Sequence, residues 1–265
     1  MIAFRLRLAL CALIAAALVG LLAPDTRAQE KKGKVEKKTY EFKDAKKDME
    51  YALFVPGGYD KAKKTPLIIA LHGLGGNPTQ FMKTRNLTAE ADKRGYIVAA
   101  PMGYNERGWY GQPGLKIGAK KGDPEDLREL SEKDVMNVLG IVKKEYNVDP
   151  DRVYLMGHSM GGGGTLHLAI KFPDEWAALG PIAPAIFAHK PTEAEKIKHI
   201  PVIMVQGAKD SLVRPEIVRP WADQMKKLEM THEYIEVADG DHGNVVGPNV
   251  PKIYDFFDKH KRKKK

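Results

Sequence analysis

Arg152-Val153-Tyr154-Leu155-Met156-Gly157-His158-Ser159-Met160-Gly161-Gly162 is the stretch on which the reading of this chain turns. Its first five residues form a short β-branched and aromatic run of the kind that fills a buried strand. After Gly161, the apolar positions Leu166, Leu168, Ala169 and Ile170 predict a helix over Met160 to Phe172. Between the two lies Gly-x-Ser-x-Gly. A strand running directly into a helix must turn sharply, and glycines on both sides of Ser159 remove the Cβ atoms that would clash there. The serine hydroxyl is then presented at the C-terminal edge of a sheet. Gly and Ser are common residues, so the pentapeptide alone is a modest signal; the strand before it and the helix after it give it weight.

Outward from this point the chain alternates short apolar runs with helical stretches, the signature of an α/β fold with a mostly parallel sheet. Eight strands are expected: Tyr40 to Lys43, Tyr51 to Val55, Pro66 to Leu71, Tyr96 to Ala100, Arg152 to Met156, Ala178 to Ile182, Val202 to Val205 and Tyr234 to Val237. The central ones are nearly continuous apolar segments, as expected of strands covered by helices on both faces. Helices are expected over Pro78 to Arg94, Glu125 to Tyr146, Met160 to Phe172, Pro215 to Leu228 and Pro251 to His260. There is no internal repeat and no linker, so one folded body over residues 49–258 is the expectation.

A serine hydroxyl is a poor nucleophile near neutral pH; it needs a base to take its proton and an acid to hold that base in one tautomer. Asp210 lies just beyond the strand at 202–205. His242 sits in Asp239-Gly240-Asp241-His242-Gly243, just beyond the last strand. The order Ser159, Asp210, His242, each after a strand end, brings all three to one edge of the sheet. Asp239 and Asp241 are rivals for the acid, but a residue adjacent in a turn reaches the far imidazole nitrogen poorly. His158 is expected to point away from the serine and His72 to be a structural hydrogen-bonder. His167 falls on the helix after Ser159, and His189, His199, His232 and His260 read as surface or loop positions.

A developing oxyanion needs preorganised donors, and backbone N–H groups at tight turns supply them. Met160 offers one by position, at a helix N-terminus directly after Ser159. Leu71-His72-Gly73-Leu74-Gly75-Gly76, following a strand, offers a second from Leu74. The glycine-rich segment from Gly103 to Asp126 also leaves a strand end on that edge, so it should border the pocket, with Tyr104, Trp109 and Tyr110 as an aromatic wall. Ile186 and Phe187, after the strand at 178–182, are the next candidates for contact with substrate.

The termini read differently. Residues 1–28 have the make-up of a secretory signal: Arg5 and Arg7, an apolar stretch from Leu8 to Ala23, and a small-residue site at Thr26-Arg27-Ala28. The apolar run is shorter than a spanning helix requires. The sole cysteine, Cys11, lies within it, so the mature chain is expected to lack disulfides and cysteine metal sites, and to be secreted or periplasmic. The net charge of +9 is terminal: +2 in the signal, +4 over residues 30–47 and +6 over residues 259–265, leaving −3 for residues 48–258. A basic segment 29–48 and a basic tail 259–265, both solvated, are expected, and a specific nucleic-acid function is not.

Leu71-His72-Gly73-Leu74-Gly75-Gly76-Asn77, Val148-Asp149-Pro150-Asp151-Arg152-Val153-Tyr154, Gly157-His158-Ser159-Met160-Gly161-Gly162, the Gly207 to Asp210 turn and Asp241-His242-Gly243 together resemble the α/β-hydrolase superfamily. Within it they are similar to the secreted esterases that include polyhydroxybutyrate depolymerases, feruloyl esterases and acetylxylan esterases. The resemblance runs from about Tyr51 to Phe257. It implies an eight-stranded, mostly parallel sheet and hydrolysis of a small or polymeric carboxylic ester through an acyl-enzyme on Ser159, with no cofactor and no metal. Members of that group often carry disulfides near the catalytic site, which a mature chain without cysteine cannot. A serine peptidase similar to the prolyl oligopeptidase catalytic domain, an acyltransferase and a non-catalytic binding protein remain as alternatives, and the oligomeric state is not legible.

Overall fold

The computed structural model describes residues 32–114 and 116–262; the secretory signal read in residues 1–28, with Cys11, lies outside them. Eight strands, β1 (Lys34–Phe42), β2 (Lys47–Val55), β3 (Thr65–Leu71), β4 (Ile97–Pro101), β5 (Val148–His158), β6 (Ala178–Ile182), β7 (Val202–Gly207) and β8 (His232–Val237), form one sheet. Its order is β1-β2-β4-β3-β5-β6-β7-β8. From β4 to β8 all neighbours are parallel, while β2 joins β4, and β1 joins β2, antiparallel. Six α-helices follow in chain order: α1 (Pro78–Met82), α2 (Leu87–Arg94), α3 (Leu127–Glu145), α4 (Met160–Lys171), α5 (Pro215–Lys227) and α6 (Val246–Lys259).

The two-residue period of the strands divides the core into two layers. Leu67, Ile69 and Leu71 of β3, with Val153 and Leu155 of β5, pack under α3, α4 and α5 through Val138, Leu166 and Trp221. The alternate residues Ile68, Ala70, Tyr154 and Met156 face α1, α2 and α6 through Phe81, Leu87 and Ile253. Because both faces are covered, no polar alternation survives in these strands, which is why they read as apolar runs.

Four expectations are corrected. The basic segment 29–48 is not a solvated extension: Lys34–Phe42 is an edge strand paired with β2 from Lys34↔Val55 to Phe42↔Lys47. Its lysines face solvent, where charge on an edge strand opposes pairing with another chain, while Phe42 is buried and Tyr40 donates to Asp134 Oδ1 at 2.6 Å. The tail also begins folded, since α6 reaches Lys259 and the Arg262 amide donates to Asp151 O at 2.8 Å. Finally, the single helix expected over Pro78–Arg94 is two, broken at Asn86, whose φ of 71° is left-handed. That residue serves α6: Pro251 has no N–H for the carbonyl of Gly247, and Asn86 Nδ2 donates to it instead at 3.0 Å. The helix therefore starts at Val246 rather than at the proline.

Candidate active site

Ser159 stands between β5 and α4 with φ 58° and ψ −117°, a strained turn that its surroundings hold in place. Its amide donates to Ile182 O, and its carbonyl accepts from Gly163 and Ala185, all at 2.9 Å. The glycines of the motif are sterically required. A Cβ on Gly157 would stand 2.4 Å from Gly161 O, and one on Gly161 would stand 2.2 Å from Leu71 O.

β7 and β8 end side by side and deliver the other two groups. A Cβ on Gly207 would meet Gly240 O at 2.6 Å, and Lys209 N–H donates to that same carbonyl at 2.8 Å, so the two loops are pressed together. Asp210 Oδ1 accepts from the amides of Leu212 and Val213, both at 2.9 Å, while its Oδ2 accepts from His242 Nδ1 at 2.8 Å. Across the ring, His242 Nε2 lies 2.8 Å from Ser159 Oγ. With Nδ1 donating to the carboxylate, Nε2 is left as the acceptor for the serine hydroxyl. Neither rival acid reaches the ring. Asp241 Oδ1 accepts from its own loop amides at Gly243 and Asn244, at 2.8 and 2.7 Å, and Asp239 pairs with Lys209 at 2.6 Å.

A cavity of about 610 Å³ opens at Ser159 and His242. Trp109, Ile117, Phe187, Leu212 and Val213 make an apolar wall, with Leu74 also at the cavity; His158, Asn77, Gln80 and Thr84 supply polar groups. Leu74 lies in a turn closed by Gly76 N–H donating to Gly73 O at 3.0 Å. Met160, buried, is the first residue of α4. Trp109 and Phe187 have ring centroids 6.0 Å apart, and Trp109 Nε1 donates to Ile117 O at 2.9 Å.

Several expected positions are elsewhere. Tyr104 packs beside Phe42, Met49 and Leu130, with the Lys47 ammonium 3.6 Å from its ring centroid, away from the cavity. Tyr110 is wholly buried beneath the site. Its hydroxyl donates to His72 O at 3.2 Å, so it props the Leu74 turn from behind instead of walling the pocket. Ile186 belongs to the core, and Ala185 takes the lining position. The Gly103–Asp126 segment is anchored: Asp134 Oδ2 accepts from Gly103 N at 2.6 Å, Ser131 Oγ accepts from Tyr110 N at 3.0 Å, and Arg107 forks onto Asp123.

The other histidines also carry structure. His72 is a buried bridge, Nδ1 lying 2.8 Å from Gly73 O and Nε2 2.9 Å from Met102 O; burial lowers its pKa. His158 does not point away from the site, because strand alternation presumes extended backbone and Ser159 is not extended. Its ring lies against that of His242, centroids 4.7 Å apart. His167 lies on α4 as expected, but His189 is not an isolated loop position, since its Nε2 meets His167 Nδ1 at 2.8 Å. Gln206 was invisible in the sequence: buried at the end of β7, it donates to Val213 O at 2.8 Å and stiffens the turn that carries Asp210.

Residues 43–247 match the Esterase family model. Feruloyl esterase B of Neurospora crassa is 32% identical over 133 residues, which cover 48% of this chain and 42% of that protein. The bifunctional acetylxylan esterase/xylanase XynS20E of Neocallimastix patriciarum is 28% identical over 153 residues, covering 57% and 20%. The chain thus spans less than half the length of these curated relatives. Among solved structures, a CE1 ferulic acid esterase from Anaeromyces mucronatus, in complex with ferulic acid, aligns with a TM-score of 0.67 at 20% identity, over 90% of this chain and 96% of that one. That likeness is one of fold, the α/β-hydrolase fold expected from the sequence. Matched by the family model over most of its described length, the chain belongs to the Esterase family.

Proposed function

We propose that this protein is a serine carboxylic-ester hydrolase. The observation that carries the proposal is the unbroken line from Ser159 Oγ to His242 Nε2 to Asp210 Oδ2, with 2.8 Å at each step, at the mouth of a 610 Å³ cavity. His242 Nε2 takes the proton of Ser159 as Oγ attacks the ester carbonyl carbon. The tetrahedral oxyanion is held by the backbone N–H groups of Met160 and Leu74, and the dipole of α4 adds to that field. Collapse breaks the bond to the alcohol, which leaves with the proton from His242. Water then attacks the acyl-enzyme, giving its proton to His242, and as the acyl carbon–Oγ bond breaks that proton passes from His242 Nε2 to Ser159 Oγ and the acid leaves.

The apolar wall of Trp109 and Phe187 suits an aryl or other bulky apolar arm of the ester, in line with the feruloyl esterase relatives; acetylated polysaccharides and aliphatic polyesters are the other substrates to try. The protein is proposed to act outside the cytoplasm after removal of residues 1–28. Among the described residues, no helix is long and apolar enough to cross a membrane.

The test is a fluorophosphonate probe together with a substrate panel of p-nitrophenyl acyl esters, methyl ferulate, acetylated xylan, an aliphatic polyester and an aminoacyl amide. The protein should be labelled once, at Ser159, and should release acid from esters but not cleave the amide. Labelling that persists in Ser159→Ala overturns the assignment of the nucleophile. Amide cleavage outpacing every ester would make the protein a peptidase.

A further inference from the structure

His158 is the residue of the Gly-x-Ser-x-Gly turn that the reaction above leaves without a task. It ends β5 paired with Ile182 of β6, so its backbone is fixed by the centre of the sheet. Its Nε2 lies 2.7 Å from the backbone carbonyl of His242. A carbonyl oxygen only accepts, so Nε2 carries the hydrogen and donates it. The loop that presents His242 is otherwise held within itself, by Asp241 on the amides of Gly243 and Asn244, and against the turn after β7, by Lys209 N–H on Gly240 O. Those bonds set the shape of the loop, and none of them ties the backbone of His242 itself to the strand that carries Ser159. The bond from His158 does.

We propose that His158 is a positioning residue for the reaction: by donating Nε2–H to the carbonyl of His242, it fixes the general base at hydrogen-bond distance from Ser159. This rests on the assignment of Ser159 and His242 above. Nucleophile and base approach from different strands, β5 and β8, with β6 and β7 between them. The short link from residue 158 to residue 242 spans that gap next to the reacting atoms. A base held loosely in such a pair loses rate steeply, since displacement on the order of 1 Å costs roughly 100-fold.

The ring is also suited to stay neutral while it does this. Burial, and then the neighbouring His242 ring, push its pKa down to about 4. A neutral ring with Nε2–H keeps a second positive charge away from the imidazolium that forms on His242 during the reaction. Its Nδ1 faces the Gly73 turn, 3.5 Å from where a Cβ on Gly73 would stand.

Two substitutions separate donation from simple filling of space. His158→Leu keeps an apolar side chain of similar bulk and has no donor; His158→Gln keeps an N–H donor at comparable reach. In the full-length protein, His158→Leu should slow both fluorophosphonate labelling of Ser159 and turnover of p-nitrophenyl acetate by about 10- to 100-fold, with KM within about threefold of wild type. His158→Gln should restore both rates to within about threefold. The downfield proton resonance of the His242 Nδ1–H to Asp210 bond should be sharp in wild type and His158→Gln and broadened in His158→Leu. Packing alone predicts the reverse order, with leucine the better substitute, and that order overturns the proposal, as does labelling of His158→Leu at the wild-type rate. Failure of wild type itself to label at Ser159 would instead refute the assignment of the nucleophile, so the two readings fail separately.

Discussion

Two pairs of histidines flank α4, and they are built on opposite principles. At its N-terminal end, the rings of His158 and His242 touch, and every contact is complete with both rings neutral. His158 donates to a carbonyl, His242 donates to Asp210, and the lone pair left on His242 accepts from Ser159. In the second half of the helix, His167 Nε2 faces Glu132 Oε2 at 3.0 Å, His189 Nδ1 faces Glu193 Oε2 at 3.0 Å, and the two rings meet at 2.8 Å. Carboxylates accept only, so both outer nitrogens must donate, and the inner contact needs one hydrogen more. Three hydrogens on two rings make one positive charge, shared between two carboxylates. Burial, and then the neighbouring His167, pull the pKa of His189 down against the hydrogen bond it donates to Glu193. Glu132 is held below the usual carboxylate range: burial opposes ionisation, but hydrogen bonds from His167 and Lys171 prevail.

The difference teaches what each pair is for. On the proposed function His242 needs a lone pair aimed at the serine proton, and its surroundings complete every other bond. A clasp needs no free lone pair, and the second pair spends all its nitrogens joining α3, α4 and the segment 189–193. It also supports the pocket from behind, since a Cβ on Gly111 would stand 2.6 Å from His167 Nε2 and 2.7 Å from Glu132 Oε2. Trp109 is carried on that same short turn.

The sharpest way to break the comparison is to remove one carboxylate from the first pair. Asp210→Asn should lower kcat about 10⁴-fold while leaving the urea midpoint close to wild type, because it disturbs the tautomer of His242 and removes a stabilising charge. Should Asp241→Asn prove the damaging change and Asp210→Asn nearly silent, the acid has been misassigned.

The second pair should respond in the opposite currency. His167→Leu leaves Glu132 and His189 buried with lost partners and should cost about 3 kcal/mol of stability, seen as a lower urea midpoint, while kcat on p-nitrophenyl acetate stays within about threefold of wild type. A variant as stable as wild type but slow on acetate would show that the second pair belongs to the chemistry after all.

Asp134 sharpens the contrast, being a buried carboxylate whose donors are uncharged and include no imidazole. Burial pushes its pKa up to about 6, against hydrogen bonds from Tyr40 and from the amides of Gly103 and Tyr104. An unfolded aspartate titrates near ~4, so between about pH 4 and pH 6 the folded state binds a proton that the unfolded state does not. The contribution of this group to stability is therefore fullest below about pH 4, falls as pH rises to about 6 and is level above that. Unfolding in urea across this range should show the slope in wild type, about 2–3 kcal/mol in all, and its loss in Asp134→Asn. Parallel curves would contradict the raised pKa.

The smallest effect is expected at the pocket wall. Trp109→Ala should cost about 1–2 kcal/mol in kcat/KM for bulky aryl esters and little for acetyl esters. Equal losses on both would mean that the turn has been displaced from its support on His167 and Glu132, rather than that a contact with substrate has been lost.

Much of this was legible in the residues. Gly157, Ser159 and Gly161 are read from local steric demands, and the strand ends before Asp210 and His242 are read from apolar runs bounded by turn residues. The misreadings share a cause. Tyr104, Trp109 and Tyr110 stand within seven residues of one another, yet one faces the β1–α3 side, one the cavity and one the core. All three have positive φ, a conformation for which no simple periodicity assigns a facing direction. The edge strand β1 was half hidden because an edge exposes most of its side chains, and lysines suit that as well as they suit a solvated tail.

By itself, then, the sequence determined the α/β alternation, the turn at Ser159 and the order of the three groups, because each depends on local sterics and on periodicity within one element. Asp210, preferred to Asp239 and Asp241 from the sequence on grounds of reach, accepts from His242, whereas which aromatic residue faces the cavity, and that His158 and His167 each meet a second histidine, were decided only by the tertiary structure. Those are contacts between residues 22 to 84 positions apart or between loops of irregular backbone, and packing of the sheet and its helices, rather than local preference, sets their distances.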